Sequence, residues 1–98
     1  MTRSLGFHPE AETELHHAAD YYARQLPGLD RRFLATVEQA LAQIVCFPEA
    51  STPVHARTRR KVLMGYPYTL MYSLTAAEIR ILAVVHHSRR PFYWHGRE

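Results

Sequence analysis

The strongest constraint on this chain is a change of hydrophobic period part-way along it. Ala11, Leu15, Ala18, Tyr22 and Leu26 recur at steps of four, three, four and four, the spacing of one helix face. Phe33, Val37, Leu41 and Ile44, with Ala40 and Val45 beside them, repeat that pattern. Later the period becomes two: Tyr68, Leu70, Tyr72 and Leu74 alternate with Thr69, Met71 and Ser73, as in a half-buried strand. A chain of 98 residues buries roughly 65% of the surface it exposes when unfolded. Its helical and strand-like halves must therefore share one core, which excludes large architectures such as α/β barrels.

Punctuating residues set the boundaries. Pro9 suits the first turn of a helix running from about His8 to Gln25, where Glu10, Glu12 and Glu14 meet the favourable end of the helix dipole. Pro27-Gly28 breaks it, Asp30 is a candidate N-cap for a second helix reaching Phe47, and Pro48 ends that helix. The segment from Glu49 to Thr58 is polar, contains Pro53 and shows no periodicity, so it reads as a connector. Three strand-like runs follow at Arg59–Gly65, Tyr68–Leu74 and Ile79–His87. In the third, Ile79, Ile81, Ala83 and Val85 occupy one face, while Leu82 and Val84 make the middle apolar on both faces, which marks a central or covered strand. The links Tyr66-Pro67 and Thr75 to Glu78 are short enough for hairpins, which predicts an antiparallel meander. Arg3 to Phe7 reads as an edge strand or an irregular lead-in. The expected architecture is a single α+β two-layer domain over residues 1–98, an αα-hairpin packed on the meander.

Charge follows the same boundary. Residues 1–49 hold four arginines against seven acids, a balance of −3, whereas residues 50–98 hold eight basic residues against two acids, a balance of +6. A basic half-domain favours nucleic acid, an acidic protein segment or an anionic membrane surface as partner. The membrane reading is the weakest, because the longest apolar run, Ile81 to Val85, is far too short to span a bilayer. Arg3 and His8-Pro9-Glu10 leave no room for a secretion signal, and the single Cys46 permits no intrachain disulfide, so the cytoplasm is the expected compartment.

Candidate chemistry is sparse outside the cations. His16 and Asp20 share a helix face and His17 lies beside them, but no third ligand and no paired-cysteine or H-E-x-x-H spacing is present, so solvated helix histidines and no metal are expected. Four scattered glycines make no phosphate-binding loop, and no cofactor is expected. Cys46, between Val45 and Phe47, reads as a small buried hydrophobe. Arg57, Arg59, Arg60 and Lys61 cluster at the first strand of the meander, Arg80 enters the third, and Arg89 and Arg90 leave it. They form a candidate partner-binding basic surface; the simpler alternative is a set of solvated cations that keep sheet edges apart. In a meander, Arg59 to Lys61 and Arg80 share one sheet end, and His86 to Arg90 mark the other. The tail from Pro91 to Arg97 mixes cations with Phe92, Tyr93 and Trp94, suited either to phosphate and base contacts or to recognition of an acidic, partly apolar peptide. Phe92 and Trp94 are expected mainly to plug the core, as a small domain needs large apolar anchors.

Taken in order, several short segments make a pattern. They are Pro9-Glu10-Ala11, Tyr21-Tyr22, Leu26-Pro27-Gly28-Leu29, Arg32-Phe33, Phe47-Pro48, the run from Arg60 to Tyr72, and the run from Ile79 to Trp94. In this order the chain resembles the ParE branch of the RelE/ParE toxins of bacterial type II toxin–antitoxin operons, over almost its whole length. The resemblance implies a β-α-α-β-β-β order, with the residues before Pro9 as an edge strand. It also implies a growth-inhibiting, plasmid-stabilising toxin neutralised by a cognate antitoxin whose acidic, amphipathic C-terminal segment wraps it, with operator DNA bound only through the antitoxin. The free toxin of this branch is associated with DNA gyrase. The RelE branch instead cuts messenger RNA on the ribosome, and a third alternative is an inactive, partner-binding relative.

RNA cleavage through the 2′-hydroxyl needs a base, an acid and cations for the developing phosphorane charge. His86 and Tyr93, with Arg60 and Arg90, are the candidate catalytic residues under that alternative. This chain has only Lys61 where the RelE branch is richer in lysine, and Arg89-Arg90 where the family commonly has Arg then Asp. Those departures and the separation of the cations along the sheet favour the gyrase reading.

Overall fold

The first helix begins where His8 can cap it. The computed structural model describes residues 3–98. After strand β1 (Ser4–Phe7), extended His8 accepts a hydrogen bond at Nδ1 from the Glu10 amide (3.1 Å), and Pro9 opens α1 (Pro9–Gln25) where a missing N–H costs nothing. The second helix, α2 (Leu29–Cys46), starts differently from expectation. Gly28 stands at its N-cap with φ 88°, no side chain caps it, and Asp30 lies inside the first turn, where only the dipole favours it. The αL geometry is what lets Pro27-Gly28 reverse the chain. Gly28→Ala meets no neighbour within 4 Å, so its cost is conformational, roughly 1–2 kcal/mol, and chemical denaturation should read it as a lowered midpoint with unchanged slope.

Four strands follow the helices: β2 (Thr52–His55), β3 (Thr58–Val62), β4 (Tyr68–Leu74) and β5 (Glu78–His86). The sheet order is β1-β5-β4-β3-β2. Strands β3, β4 and β5 form the expected antiparallel meander, and β1 pairs parallel with β5, Ser4 opposite Glu78 through Phe7 opposite Ile81. The segment read as an irregular connector is corrected: it contains β2, an edge strand pairing Thr52 with Arg60 and Pro53 with Arg59. Pro53 is tolerated there because an edge strand leaves one row of amides unpaired.

The core lies between helices and sheet. Ala11 and Ala18 of α1 and Phe33, Val37, Ala40 and Ile44 of α2 pack on Leu63, Leu70, Tyr72, Ile79, Ile81 and Val84. Tyr22, Phe33, Tyr66 and Tyr68 make an aromatic cluster at one end, with ring centroids 5.0 to 6.4 Å apart. A second, smaller cluster covers the opposite face of the sheet, where Trp94 of the folded-back tail buries Met71, Leu82 and Ala83.

The third run does not keep the phase that its alternation predicts. Met71 pairs with Ala83 but Tyr72 with Ile81, so Leu82 is an extra residue, a β-bulge. Past the bulge the faces exchange: Ile79 and Ile81 look toward the helices, then Val84, while Ala83 and Val85 join the outer cluster. Two further expectations are corrected. Cys46 is exposed, because it lies two residues, about 200° of helix, beyond the buried Ile44. Phe92 is 53% exposed: its ring meets the Trp94 ring, centroids 5.7 Å apart, and joins neither core cluster. With no partner to lose, Cys46→Ser should change stability by less than about 0.5 kcal/mol in the same denaturation experiment.

Candidate functional site

Between the end of α2 and the β2–β3 edge lies an open groove of about 640 Å³, lined by Gln43, Phe47, Ser51, Arg60, Lys61 and Val62. Its apolar rim is unusually exposed: Phe47 is 68%, Val62 50% and neighbouring Met64 84% accessible. Lys61 stands opposite Leu70 on the helix side of the sheet, while Arg60 stands opposite Met71 on the outer side, so the two cations flank the groove. Among the described residues, neither makes an ion pair. Arg59 is already committed, donating from Nη1 to the Glu49 and Ser51 carbonyls at 3.0 and 2.8 Å.

The other basic residues do not join this groove. Arg57 is in the β2–β3 turn, and Arg80 lies opposite Ser73 in a row that continues to Thr58, so Arg80 keeps to the end of the sheet expected for it. Among the described residues, its Nε is buried without a hydrogen-bond partner. Arg89 and Arg90 sit in the exposed turn after β5, together with Phe92, whose φ of 60° is unusual for a bulky side chain. The candidate basic surface is therefore divided into a groove, a sheet end and a turn.

The opposite edge of the sheet is closed by an arrangement that sequence reading missed. β1 ends at Phe7, and beyond it the β5 edge has no strand partner among the described residues. Glu14 of α1 takes that place: its Oε1 accepts from the Val84 amide (3.0 Å) and Arg97 Nη1 (3.0 Å), and its Oε2 accepts from Tyr93 Oη (2.8 Å) and Arg97 Nη2 (3.1 Å). Arg97 Nη1 also donates to the Leu82 carbonyl at 3.0 Å, and its Nε approaches Glu10 at 3.5 Å. A bidentate carboxylate–guanidinium pair thus fixes the C-terminal tail and satisfies one amide and one carbonyl of the bulged strand. Burial, and then the hydrogen bond to Glu14 and its charge, hold the Tyr93 phenol well above its ordinary pKa. Burial alone would lower Arg97, but the Glu14 hydrogen bonds and charge outweigh it and the guanidinium is held above its usual value.

This geometry bears directly on the four candidate catalytic residues. Arg60 pairs with Met71 and His86 with Tyr68, which puts them three residues apart along β4 and on strands either side of it. Their Cα atoms are on the order of 14 Å apart. His86 Nδ1 is taken up by Ser88, through its hydroxyl at 2.7 Å and its amide at 3.0 Å. Tyr93 donates its proton to Glu14, with the Arg89 guanidinium 3.9 Å over its ring, and Arg90 stays in the exposed turn. His16, His17 and Asp20 are exposed on α1, and among the described residues no three potential ligands converge as a metal site would require.

Residues 5–91 match the family described as the ParE toxin of the type II toxin–antitoxin system parDE. The chain belongs to the ParE toxin family. It is 34% identical over 92 residues to Toxin ParE2 of Mycobacterium tuberculosis, in strains CDC 1551 / Oshkosh and H37Rv, an alignment spanning 93% of this chain and 88% of that toxin. Its fold resembles a solved chain described as the chromosomal ParDE TA system from P. aeruginosa, with a TM-score of 0.75 at 19% identity, covering 87% of this chain and 96% of the other. ParE membership accounts for the order of helices and strands that the segments from Pro9 to Trp94 imply. No helix of the described residues is long and apolar enough to cross a membrane.

Proposed function

We propose that this ParE-family chain is a cytoplasmic toxin that an acidic antitoxin segment neutralises, and that the free protein poisons DNA gyrase. The observation that carries gyrase over messenger RNA is the commitment of Tyr93 to Glu14, with Arg60 and His86 held apart on strands either side of β4. His86, Arg89 and Glu14 do line one small pocket, but Arg60 is not part of it. A general acid must release its proton to the leaving oxygen, whereas Tyr93 holds its proton against Glu14 and is raised in pKa. A target-binding role asks less: an exposed aromatic flanked by cations, as Phe92, Arg89 and Arg90 provide, is the composition of a protein-interface anchor. The antitoxin reading is supported by the family and by the unpaired cations of the +6 half.

Purified toxin added to gyrase and relaxed plasmid should block supercoiling or trap cleaved DNA. Unchanged supercoiling together with ribosome-dependent cuts in messenger RNA would reverse the assignment in favour of the nuclease. Tyr93→Phe separates the readings further. It removes one hydrogen bond, worth about 1 kcal/mol of stability, and should leave growth arrest intact. An RNA-cleaving site that used this hydroxyl would lose orders of magnitude in rate.

A further inference from the structure

The small pocket between α1 and the end of β5, about 160 Å³ in volume, is lined by Glu14, His17, Val84, His86 and Arg89, with Tyr68 beside them. Its base is the buried Val84, and one wall is the edge-to-face pair of the Tyr68 and His86 rings, centroids 5.0 Å apart. Acceptors and donors around it are unequally supplied. Glu14 is its carboxylate, and each oxygen already takes two hydrogen bonds: Oε1 from the Val84 amide and Arg97 Nη1, Oε2 from Tyr93 Oη and Arg97 Nη2. A carboxylate oxygen has two lone pairs, so Glu14 has nothing left to offer the pocket. The donors are in the opposite condition. The Ser88 amide can only donate, so Nδ1 of His86 must accept from it, and the neutral ring carries its proton on Nε2. Among the described residues, neither that nitrogen, nor the His17 ring, nor the Arg89 guanidinium makes a side-chain hydrogen bond or an ion pair. Arg89 rests only on the face of Tyr93, 3.9 Å from the ring centroid.

We propose that this pocket binds a phosphoryl dianion, which takes hydrogen bonds from the Arg89 guanidinium, His86 Nε2 and the His17 ring together. Donors that converge from α1, from β5 and from the turn after it suit a tetrahedral anion with oxygens on every side, whereas a flat carboxylate offers oxygens in one plane. Glu14 does not oppose the ligand as a free carboxylate would, because Arg97 neutralises it in a bidentate pair. The pocket has room for the phosphoryl group alone, so inorganic phosphate and the phosphate of a mononucleotide present it with the same chemistry, any nucleoside lying outside. This is a site for binding and not for hydrolysis. His86 keeps Nδ1 against Ser88 and presents Nε2 as a donor, so it has no lone pair with which to take a proton from a bound reactant. The inference goes beyond the gyrase and antitoxin readings and depends on neither.

The test is a titration of inorganic phosphate into the isotope-labelled full chain, followed by nuclear magnetic resonance, with chloride exchanged to hold the ionic strength constant. The Ser88 and Arg89 amide signals should move along one saturable curve with a Kd on the order of 1 mM, the strength of two or three charge-assisted hydrogen bonds. The His86 ring should carry its proton on Nε2 before phosphate is added, and Nε2 should be the ring nitrogen whose signal moves on binding. Arg89→Gln keeps much of the side chain's reach without its charge and should weaken binding about tenfold. His86→Phe keeps a ring against Tyr68 and should weaken it about fivefold. Arg90→Gln removes an equal charge one residue away, outside the pocket, and should change the Kd less than about twofold. Thermal unfolding of each variant separates lost binding from lost fold. A nucleoside monophosphate that binds like phosphate upholds a site for the phosphoryl group alone, and one that binds about tenfold tighter upholds it as the phosphate end of a nucleotide site. Signals that move linearly without saturation, acetate that binds as tightly as phosphate, or a proton found on Nδ1 would overturn the proposal. So would an Arg90→Gln loss equal to that of Arg89→Gln, which would reduce the effect to the positive field of the whole turn.

Discussion

Glu14→Ala is expected to cost roughly 3–5 kcal/mol, the largest loss of any charged residue of α1, because it leaves a largely buried guanidinium with only the exposed Glu10 carboxylate at 3.5 Å as counter-charge. Arg97 and Glu14 keep only 11% and 15% of their side-chain surface exposed, so water does little to replace the pair. The same change strands the Val84 amide and the Tyr93 hydroxyl. For a domain of this size the melting temperature should fall by more than about 12 °C. Trp94 is the built-in reporter: it is 3% exposed under the tail that Arg97 fixes, so its emission should shift to the red in Glu14→Ala before global unfolding. Arg97→Ala leaves Glu14 its bonds to Val84 and Tyr93 and should cost less. The double variant should cost less than the sum of the single ones, because both remove one pair. A fall of under about 4 °C for Glu14→Ala would mean that the tail is held by Trp94 alone.

Glu14 also shows where sequence reading stops. The carboxylate sits at helical spacing from Ala11 and Ala18, on the buried stripe rather than the polar face, and that misplacement was a legible signal for a partner. Its helix-dipole role explained it too readily, and Arg97 is remote in sequence, at |i−j| of 83, where no periodicity points. Local order was legible wherever one period ruled alone. Tyr68–Leu74 is a strand over the predicted span, and the α2 stripe of Phe33, Val37 and Ile44 is buried as its spacing requires. β2 escaped because Thr-Pro-Val-His carries one large apolar side chain, too few for an alternation, and is fixed by pairing with β3 instead. The bulge at Leu82 escaped because a run apolar on both faces gives no phase to lose.

The candidate site divided in the same way. Residue types were legible; their convergence was not. Arg60, Lys61, Arg80, Arg89 and Arg90 are all in the basic half, yet strand register and tail path separate them into three places. The apolar side of the groove was missed because nothing in the sequence sets Phe47, Val62 and Met64 apart from hydrophobic residues that pack inside, and one left outside is invisible until the packing is known.

Phe92→Gly should separate stability from toxicity. Phe92 holds a left-handed backbone conformation, φ 60°, that costs a non-glycine residue roughly 1–2 kcal/mol, while half its side chain remains in water. Its contact with Trp94, ring centroids 5.7 Å apart, offsets only part of that cost. Glycine adopts the same φ freely, so the variant should fold as stably as wild type or gain up to about 1 kcal/mol in thermal unfolding. If the turn is the gyrase contact, loss of its aromatic anchor should remove about 2 kcal/mol of binding, near 30-fold, in the toxin concentration needed to trap cleaved plasmid. Arg90→Glu, on an exposed residue, should act in the same direction and more strongly at low salt. Strain kept on an exposed aromatic is poor design for stability, and an observed backbone outlier at an exposed anchor residue fits a position retained for contact with a partner. A Phe92→Gly protein that arrests growth as well as wild type would move the target contact away from this turn.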